Sequence, residues 1–381
     1  MQSLASGDGL SPAVMPDPAA ASFLPSLRCW TRPHGSGSVE TVCFVAGGSL
    51  ILSGGGDGIA RLWQTELPYR CVAELTGHRR NVAAAVELPL APKGRLGYAT
   101  GSFDRDIRLW PTCDVTVSPL AGAYHTAPQR LSSLATLTGH TGFVRSLTIL
   151  PGSGHLVSAS DDSMLRVWRV AEREAQCECV AVLEGHTAAV YAVAVVYDGA
   201  CLVSSGEDKQ LRLWSTDGPL YLCLGVLPTQ ARFVYDICPL PRGGFVSGSG
   251  EATLRVWDAH RPSKPGRPDR DRNAKGLDTL RCRAVLRGHV AYIYAVAASR
   301  GEPDLLVSGG TDRSLRVWQL GVEMLPDSLE QRSVGWCCVN VPQAHSGFVT
   351  SVCISDDGTK VVSGGMGGDM ALWNLQVRVA W

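Results

Sequence analysis

The sequence predicts an all-β chain folded as one seven-bladed propeller, with four antiparallel strands in each blade. Three observations carry this reading. A tryptophan phrase recurs seven times, each copy is preceded by two short apolar strands, and one strand-like segment stands before the first copy with no repeat of its own.

The phrase comes first. Seven of the ten tryptophans close it: SGGGDGIARLW (Trp63), TGSFDRDIRLW (Trp110), SASDDSMLRVW (Trp168), SSGEDKQLRLW (Trp214), SGSGEATLRVW (Trp257), SGGTDRSLRVW (Trp318) and SGGMGGDMALW (Trp373). The mean spacing is about 52 residues and the shortest interval, Trp214 to Trp257, is 43, so longer intervals contain inserted loop. Ten residues before each Trp stands a hydroxyl: Ser53, Thr100, Ser158, Ser204, Ser247, Ser308 and Ser363. Six before it stands an acid in six copies (Asp57, Asp104, Asp162, Asp208, Glu251, Asp312), and Gly367 takes that place in the seventh. Further upstream lies a histidine in six copies: His34, His78, His140, His186, His289 and His345. Thr229 and Gln230 break that rule in copy five.

This pattern resembles the WD-repeat family over roughly residues 27–375. The resemblance implies one buried hydrogen-bonded tetrad per blade: Trp indole, Ser/Thr hydroxyl, His ring and Asp carboxylate. The residue types suit that role. Indole only donates, a hydroxyl and an imidazole each donate and accept, and a carboxylate terminates the chain. On this reading blade five lacks its His and blade seven its acid, and these two blades should be the loosest.

The strands come next. VYAVAVV and CLVSSG precede the fourth phrase, LRLW ends it, and an outer strand such as CVAVL precedes the next histidine. A ring must hide its last edge. The segment LRCWTRP has outer-strand character and precedes His34, so residues 27–32 are expected to complete blade seven. The domain reading is a disordered arm at 1–25 and one propeller at 26–381, with long loops at about 111–133, 258–281 and 319–341. The second loop is basic, with Arg261, Lys264, Arg267, Arg270, Arg272 and Lys275 within 261–276.

Composition excludes several classes. Thirty-five basic residues balance thirty-five acidic ones, which leaves no whole-domain footprint for nucleic acid. Thirteen cysteines, an odd number scattered through apolar stretches, do not form a secreted disulfide framework. No stretch has the length of a membrane span, and no sequon or signal pattern occurs. The chain reads as reduced and soluble, cytoplasmic or nuclear, needing no cofactor, and a monomeric propeller within a larger complex.

No constellation reads as catalytic. His125, His155 and His260 stand alone in loops, and Cys177, Cys179, Cys337 and Cys338 lack zinc-site spacing. Gly54-Gly55-Gly56-Asp57-Gly58 lacks the Gly-Lys-Ser/Thr ending of a phosphate loop and reads as a turn. Arg61, Arg108, Arg166, Arg212, Arg255 and Arg316, two residues before their tryptophans, read as solvated strand residues.

The resemblance implies three positions per blade at the entrance of the central channel, on the top face. Eight of the chain's sixteen Phe and Tyr residues fall on these twenty-one positions, where chance places about one. The resulting partner-binding set is Phe103, Phe143, Arg145, Tyr191, Glu207, Phe233, Tyr235, Tyr292, Tyr294 and Phe348. Phe143 and Phe348 also have a plain reading as blade-packing residues, whereas Phe233, Tyr235, Tyr292 and Tyr294 concentrate on blades five and six. Aromatic side chains with a few charges beside them have the composition of a binding hot spot.

A narrower resemblance rests on GHTAAVYAV, GHVAYIYAV with TDRSLRVW, and the expanded ELPLAPKGRLGYATGS of blade two. These are similar to the propeller of the phospholipase A-2-activating protein family, which implies ubiquitin binding by the top face. The expected function is therefore a non-enzymatic adaptor that binds a peptide or small domain, with ubiquitin the specific candidate. The alternative is an RNA- or ribosome-associated assembly factor that uses the basic loop.

Overall fold

Seven sheets follow one another along the chain, built mainly by antiparallel pairing of successive strands. The structure, a computed structural model, describes residues 25–375 apart from 36, 90–95, 114–126, 172–175, 219, 229–231, 242, 260–279, 301–304, 323–333 and 342–343. The arm at 1–24 and the basic stretch 261–276 thus lie outside the described residues.

Blade four shows the plan: strands Val190–Val196 (a), Cys201–Gly206 (b), Gln210–Ser215 (c) and Cys223–Pro228 (d) pair in sequence order. Strand b is buried at every position because a neighbouring blade covers each of its faces. Strand c, by contrast, alternates between buried and half-buried residues. An all-apolar or small-residue strand b is what two covered faces require, and CLVSSG supplies it. The a strands contact one another from blade to blade around the whole ring, so they line the channel and the d strands form the rim. Because the strands alternate in direction, the d–a loops and the b–c turns emerge on one side, called the top face here.

The ring closes as the unpaired segment predicts. Pro25–Thr31 pairs antiparallel with Met370–Leu375 as the outer strand of blade seven, matching Leu27 to Trp373 and Trp30 to Ala371. It starts two residues before the expected boundary. Across the seam, Val39 and Val42 of blade one pack with Val362, Met370 and Leu372 of blade seven. Side chains of the a strands also stitch blades together. Ser351 Oγ accepts the Val42 amide at 3.0 Å, Ser146 Oγ the Val193 amide at 3.3 Å, and Asp236 Oδ2 the Val296 amide at 2.8 Å.

Blade one departs from the four-strand plan. Gln129–Leu131 returns from the connection that follows Trp110 and pairs in parallel with the outer strand Cys71–Thr76. Arg130 lies 3.7 Å from Glu74 there. The connection expected as loop thus caps a sheet edge that would otherwise present free backbone groups. Strand structure reaches into the other two connections as well. Thr253–Ala259 pairs with Leu280–Arg287, and Leu315–Val322 with Val334–Val341. No α-helix occurs among the described residues.

Candidate functional site

The foundation of the site is the tetrad layer. In blade four the Trp214 indole donates to Ser204 Oγ at 2.8 Å, Ser204 Oγ lies 2.7 Å from His186 Nε2, and His186 Nδ1 lies 2.7 Å from Asp208. Because indole can only donate, the hydroxyl accepts from it and donates onward, which assigns His186 the Nδ1–H tautomer. The same chain runs through Trp63–Ser53–His34–Asp57, Trp110–Thr100–His78–Asp104, Trp168–Ser158–His140–Asp162 and Trp318–Ser308–His289–Asp312. Burial pushes these carboxyls upward, but the histidine bond and nearby backbone amides outweigh it. Asp162 ends at about 2, and Asp57, Asp104, Asp208 and Asp312 are also lowered.

Blade seven does not lack its acid. Asp369, four residues before Trp373 rather than six, is fully buried beneath His345. Its Oδ2 accepts the Ser346 amide at 2.8 Å, while its Oδ1 stands 3.3 Å from His345 Nδ1 without hydrogen-bond geometry. His345 Nε2 still reaches Ser363 Oγ at 2.7 Å, and Trp373 donates to that oxygen at 2.9 Å. The turn Met366-Gly367-Gly368-Asp369 moves the carboxylate two places along, where it still faces His345 and holds the Ser346 amide. Blade five has no histidine in the layer among the described residues. Trp257 donates to Ser247 at 2.9 Å, and Glu251 turns instead to Arg255 at 3.2 Å.

The arginines two residues before each Trp are not solvated strand residues. They are half-buried, and Arg108, Arg166, Arg212 and Arg316 lie over the glycine that precedes the tetrad histidine of their own blade. Arg61 pairs with Asp57 at 2.6 Å and Glu74 at 3.1 Å. The flat guanidinium covers the glycine and the edge of the Trp ring, where a shorter or branched side chain would leave a gap.

Above this layer lies the channel mouth, where eight of the ten sequence-derived partner residues form one band. Phe103 of blade two stacks on Phe143 of blade three, with centroids 4.6 Å apart and planes at 15°. Arg145 lies over Phe103 at 4.5 Å and over Tyr191 at 5.7 Å, and binds Asp161 through two bonds of 2.8 Å. Tyr191 of blade four stacks on Tyr235 of blade five at 5.6 Å, and Phe233 meets both rings edge-on. Tyr235 then meets Tyr294 of blade six at 4.6 Å edge-on and Tyr292 at 6.1 Å. Such pairs contribute about 0.5–1.5 kcal/mol each and fix the rings before any partner arrives.

Glu207 lies beside Tyr191 and helps burial raise its phenol. Burial and the neighbouring tyrosines push Tyr235 up to about 12, so these phenols are neutral donors and acceptors near neutral pH. Phe348 stands apart: it is exposed on blade seven beside Met366 and makes no ring contact among the described residues. Two members of the site escaped the sequence reading. Asp161 fell on a mouth position, but only geometry shows it anchoring Arg145. Arg232 lies over Tyr292 at 5.8 Å and donates to its hydroxyl at 3.1 Å. It was missed because it stands one place before Phe233, outside the three mouth positions per blade that the family resemblance implies.

The opposite side of the mouth is polar. Asn81 donates to Glu40 at 2.9 Å, beside Ser38 and Gly56. The His155 ring reaches Tyr221 Oη at 3.5 Å. No group of three or more His, Cys, Asp or Glu side chains suited to a metal occurs among the described residues, and no helix there is long and apolar enough to cross a membrane.

Comparison with known proteins agrees with this geometry. Seven stretches match the family described as WD domain, G-beta repeat: residues 26–64, 69–111, 131–169, 177–215, 221–258, 280–319 and 336–374. Curated relatives include the Nuclear distribution protein PAC1 of Arthroderma benhamiae, 26% identical over 317 residues, and that of Arthroderma otae, 27% identical over 317 residues. Each alignment covers 80% of this chain and 51% of the relative, so the chain spans about half the length of the curated relatives it matches. Among solved structures, the WD40 beta propeller domain of Doa1 superposes with a TM-score of 0.67 at 19% identity, over 93% of this chain and 98% of that one.

Proposed function

The chain belongs to the WD domain, G-beta repeat family, and from that premise we propose that it is a non-catalytic adaptor that grips a peptide or small folded domain at its channel mouth. Propellers of this family are in general protein-interaction scaffolds. The observation that carries the reading is the continuous aromatic band from Phe103 to Tyr294. Its rings are mutually stacked and pre-set, half-buried except for Tyr292, which is 38% exposed. Large, rigid, partly desolvated aromatics with arginines among them supply contact area at low entropic cost.

Affinity capture from lysate tests it, comparing the wild type with Tyr235→Ala/Tyr294→Ala and with a deletion of 261–276. The tyrosine variant is expected to fold and to lose the captured partners. If it folds and keeps them, the mouth is not the site. Partners lost only with 261–276 would favour the alternative of an RNA- or ribosome-associated factor.

The finer reading takes ubiquitin as the small domain, on the strength of GHTAAVYAV in blade four and GHVAYIYAV in blade six. NMR titration with ubiquitin should perturb residues of the mouth. No shift at concentrations of about a millimolar would remove ubiquitin while leaving the adaptor reading in place.

A further inference from the structure

One strip of the top face runs from the rim to the channel between blades five and six. Residues 288–292 join the outer strand Leu280–Arg287 to the channel strand Ile293–Ala298, so this loop crosses the top of the ring radially. Arg287, Val290 and Tyr292 stand exposed along it, Val290 at 85%. Arg313 flanks the strip, on the turn whose Asp312 accepts the Val290 amide at 3.2 Å. Arg232 ends it at the mouth, bonded to the Tyr292 hydroxyl. Asp312 is already committed to His289 and Ser314, and no exposed carboxylate lies on the strip among the described residues.

The b–c turn of blade six fixes where Arg313 stands. It sits in the left-handed region at φ 61°, which favours glycine. Blades one and seven use glycine at this turn position, Gly58 at 76° and Gly368 at 82°, and blades two to five hold Arg105, Ser163, Lys209 and Ala252 there with the same left-handed backbone. Arg313 therefore occupies an ordinary turn position of the ring, and its side chain is exposed beside the strip. The side chain projects into solvent, where a partner would meet it.

We propose that this strip receives a short acidic segment of a partner protein, laid out in extended form. One apolar side chain rests against Val290 and Tyr292, and carboxylates meet Arg232, Arg313 and Arg287. Four strands at about 4.8 Å spacing set a radial span of about 14 Å, which matches about four or five extended residues. The inference rests on the mouth being a partner-binding face and names the chemistry of what binds there.

The test uses the full chain and a fluorescein-labelled Glu-Asp-Leu-Glu-Asp peptide read by anisotropy, against Lys-Lys-Leu-Lys-Lys, ubiquitin and oligouridine. The acidic peptide is expected to bind, to weaken as salt is raised, and to lose at least about tenfold affinity in Arg232→Glu/Arg313→Glu. Both substituted residues are exposed, and circular dichroism checks that the variant folds. No binding by the acidic peptide, equal binding by the basic one, or indifference to the double substitution would overturn the inference. Tighter binding of oligouridine at the same residues would assign the strip to nucleic acid and overturn it too. Captured partners that depend on Tyr235 and Tyr294 but not on Arg232 and Arg313 would leave the adaptor reading intact and remove only the acidic segment. Partners that survive loss of both tyrosines would remove the mouth itself.

Discussion

Blades four and five present nearly the same mouth on different foundations. Tyr191 and Tyr235 occupy equivalent positions and stack on each other, yet beneath Tyr191 the tetrad is complete and beneath Tyr235 it stops at Trp257 and Ser247. In blade five, Phe245 is fully buried and stacks on Trp257 at 5.9 Å, while Asp236 bonds to the strand of blade six. Packing and one inter-blade bond therefore hold the mouth geometry without a histidine. The tetrad sets how stably a blade stands, and the channel strands set what it displays.

That separation can be broken most sharply at His186. His186→Ala removes two buried hydrogen bonds and leaves Asp208 without its ring partner, and is expected to cost about 2–3 kcal/mol in denaturant unfolding. Tyr191 should still display its ring in the folded fraction. A smaller contrast comes from the hydroxyls. Ser204→Ala disconnects both indole and imidazole and should cost roughly 2 kcal/mol, whereas Ser247→Ala orphans only the Trp257 indole and should cost about 1 kcal/mol. Equal losses would show that the histidine adds nothing.

The two blades should also respond to pH in opposite directions. Burial raises Asp208, but the His186 bond wins and lowers it, so its contribution is present above about pH 4 and fades as pH falls through the lowered value. Asp208→Asn should flatten the acid side of the urea-midpoint profile. Asp236 behaves conversely: burial raises it to about 7 against the lowering bonds from Val296 and Ile237. Its favourable contribution is present at acid pH and lost as pH rises from about 4 through about 7. Asp236→Asn should abolish that loss, and a profile unchanged by it would sink the assignment. The smallest effect is expected at Glu251, whose partly exposed pair with Arg255 stands in for a tetrad contact. Glu251→Gln should change stability by less than about 0.5 kcal/mol.

What could be read from the chain followed from periodic constraints. Trp ten residues after a Ser/Thr and 28–32 after a His reveals the blades because each buried donor requires its acceptor, and LRCWTRP betrays the closing strand because a ring must end paired. Asp369 was missed because glycine takes the usual acid position and the carboxylate sits two places later in a turn of the same length, although an acid sought within two places would have found it. Gln129–Leu131 was illegible because three mostly polar residues carry no strand periodicity, and only the open edge of Cys71–Thr76 calls for them. The family spacing placed the mouth aromatics on one face. Their stacking order, the Arg145–Asp161 clamp and the Arg232 contact depend on how neighbouring blades rotate against each other, which no local pattern encodes.

The most direct measurement is amide hydrogen exchange of the chain with and without a captured partner. Exchange is expected to slow at 232–236, 289–295 and 189–192, around the aromatic half of the mouth, with little change at the bottom turns near Leu67 and Leu220. Protection confined to those bottom turns, with the mouth exchanging as in the free chain, would contradict that expectation.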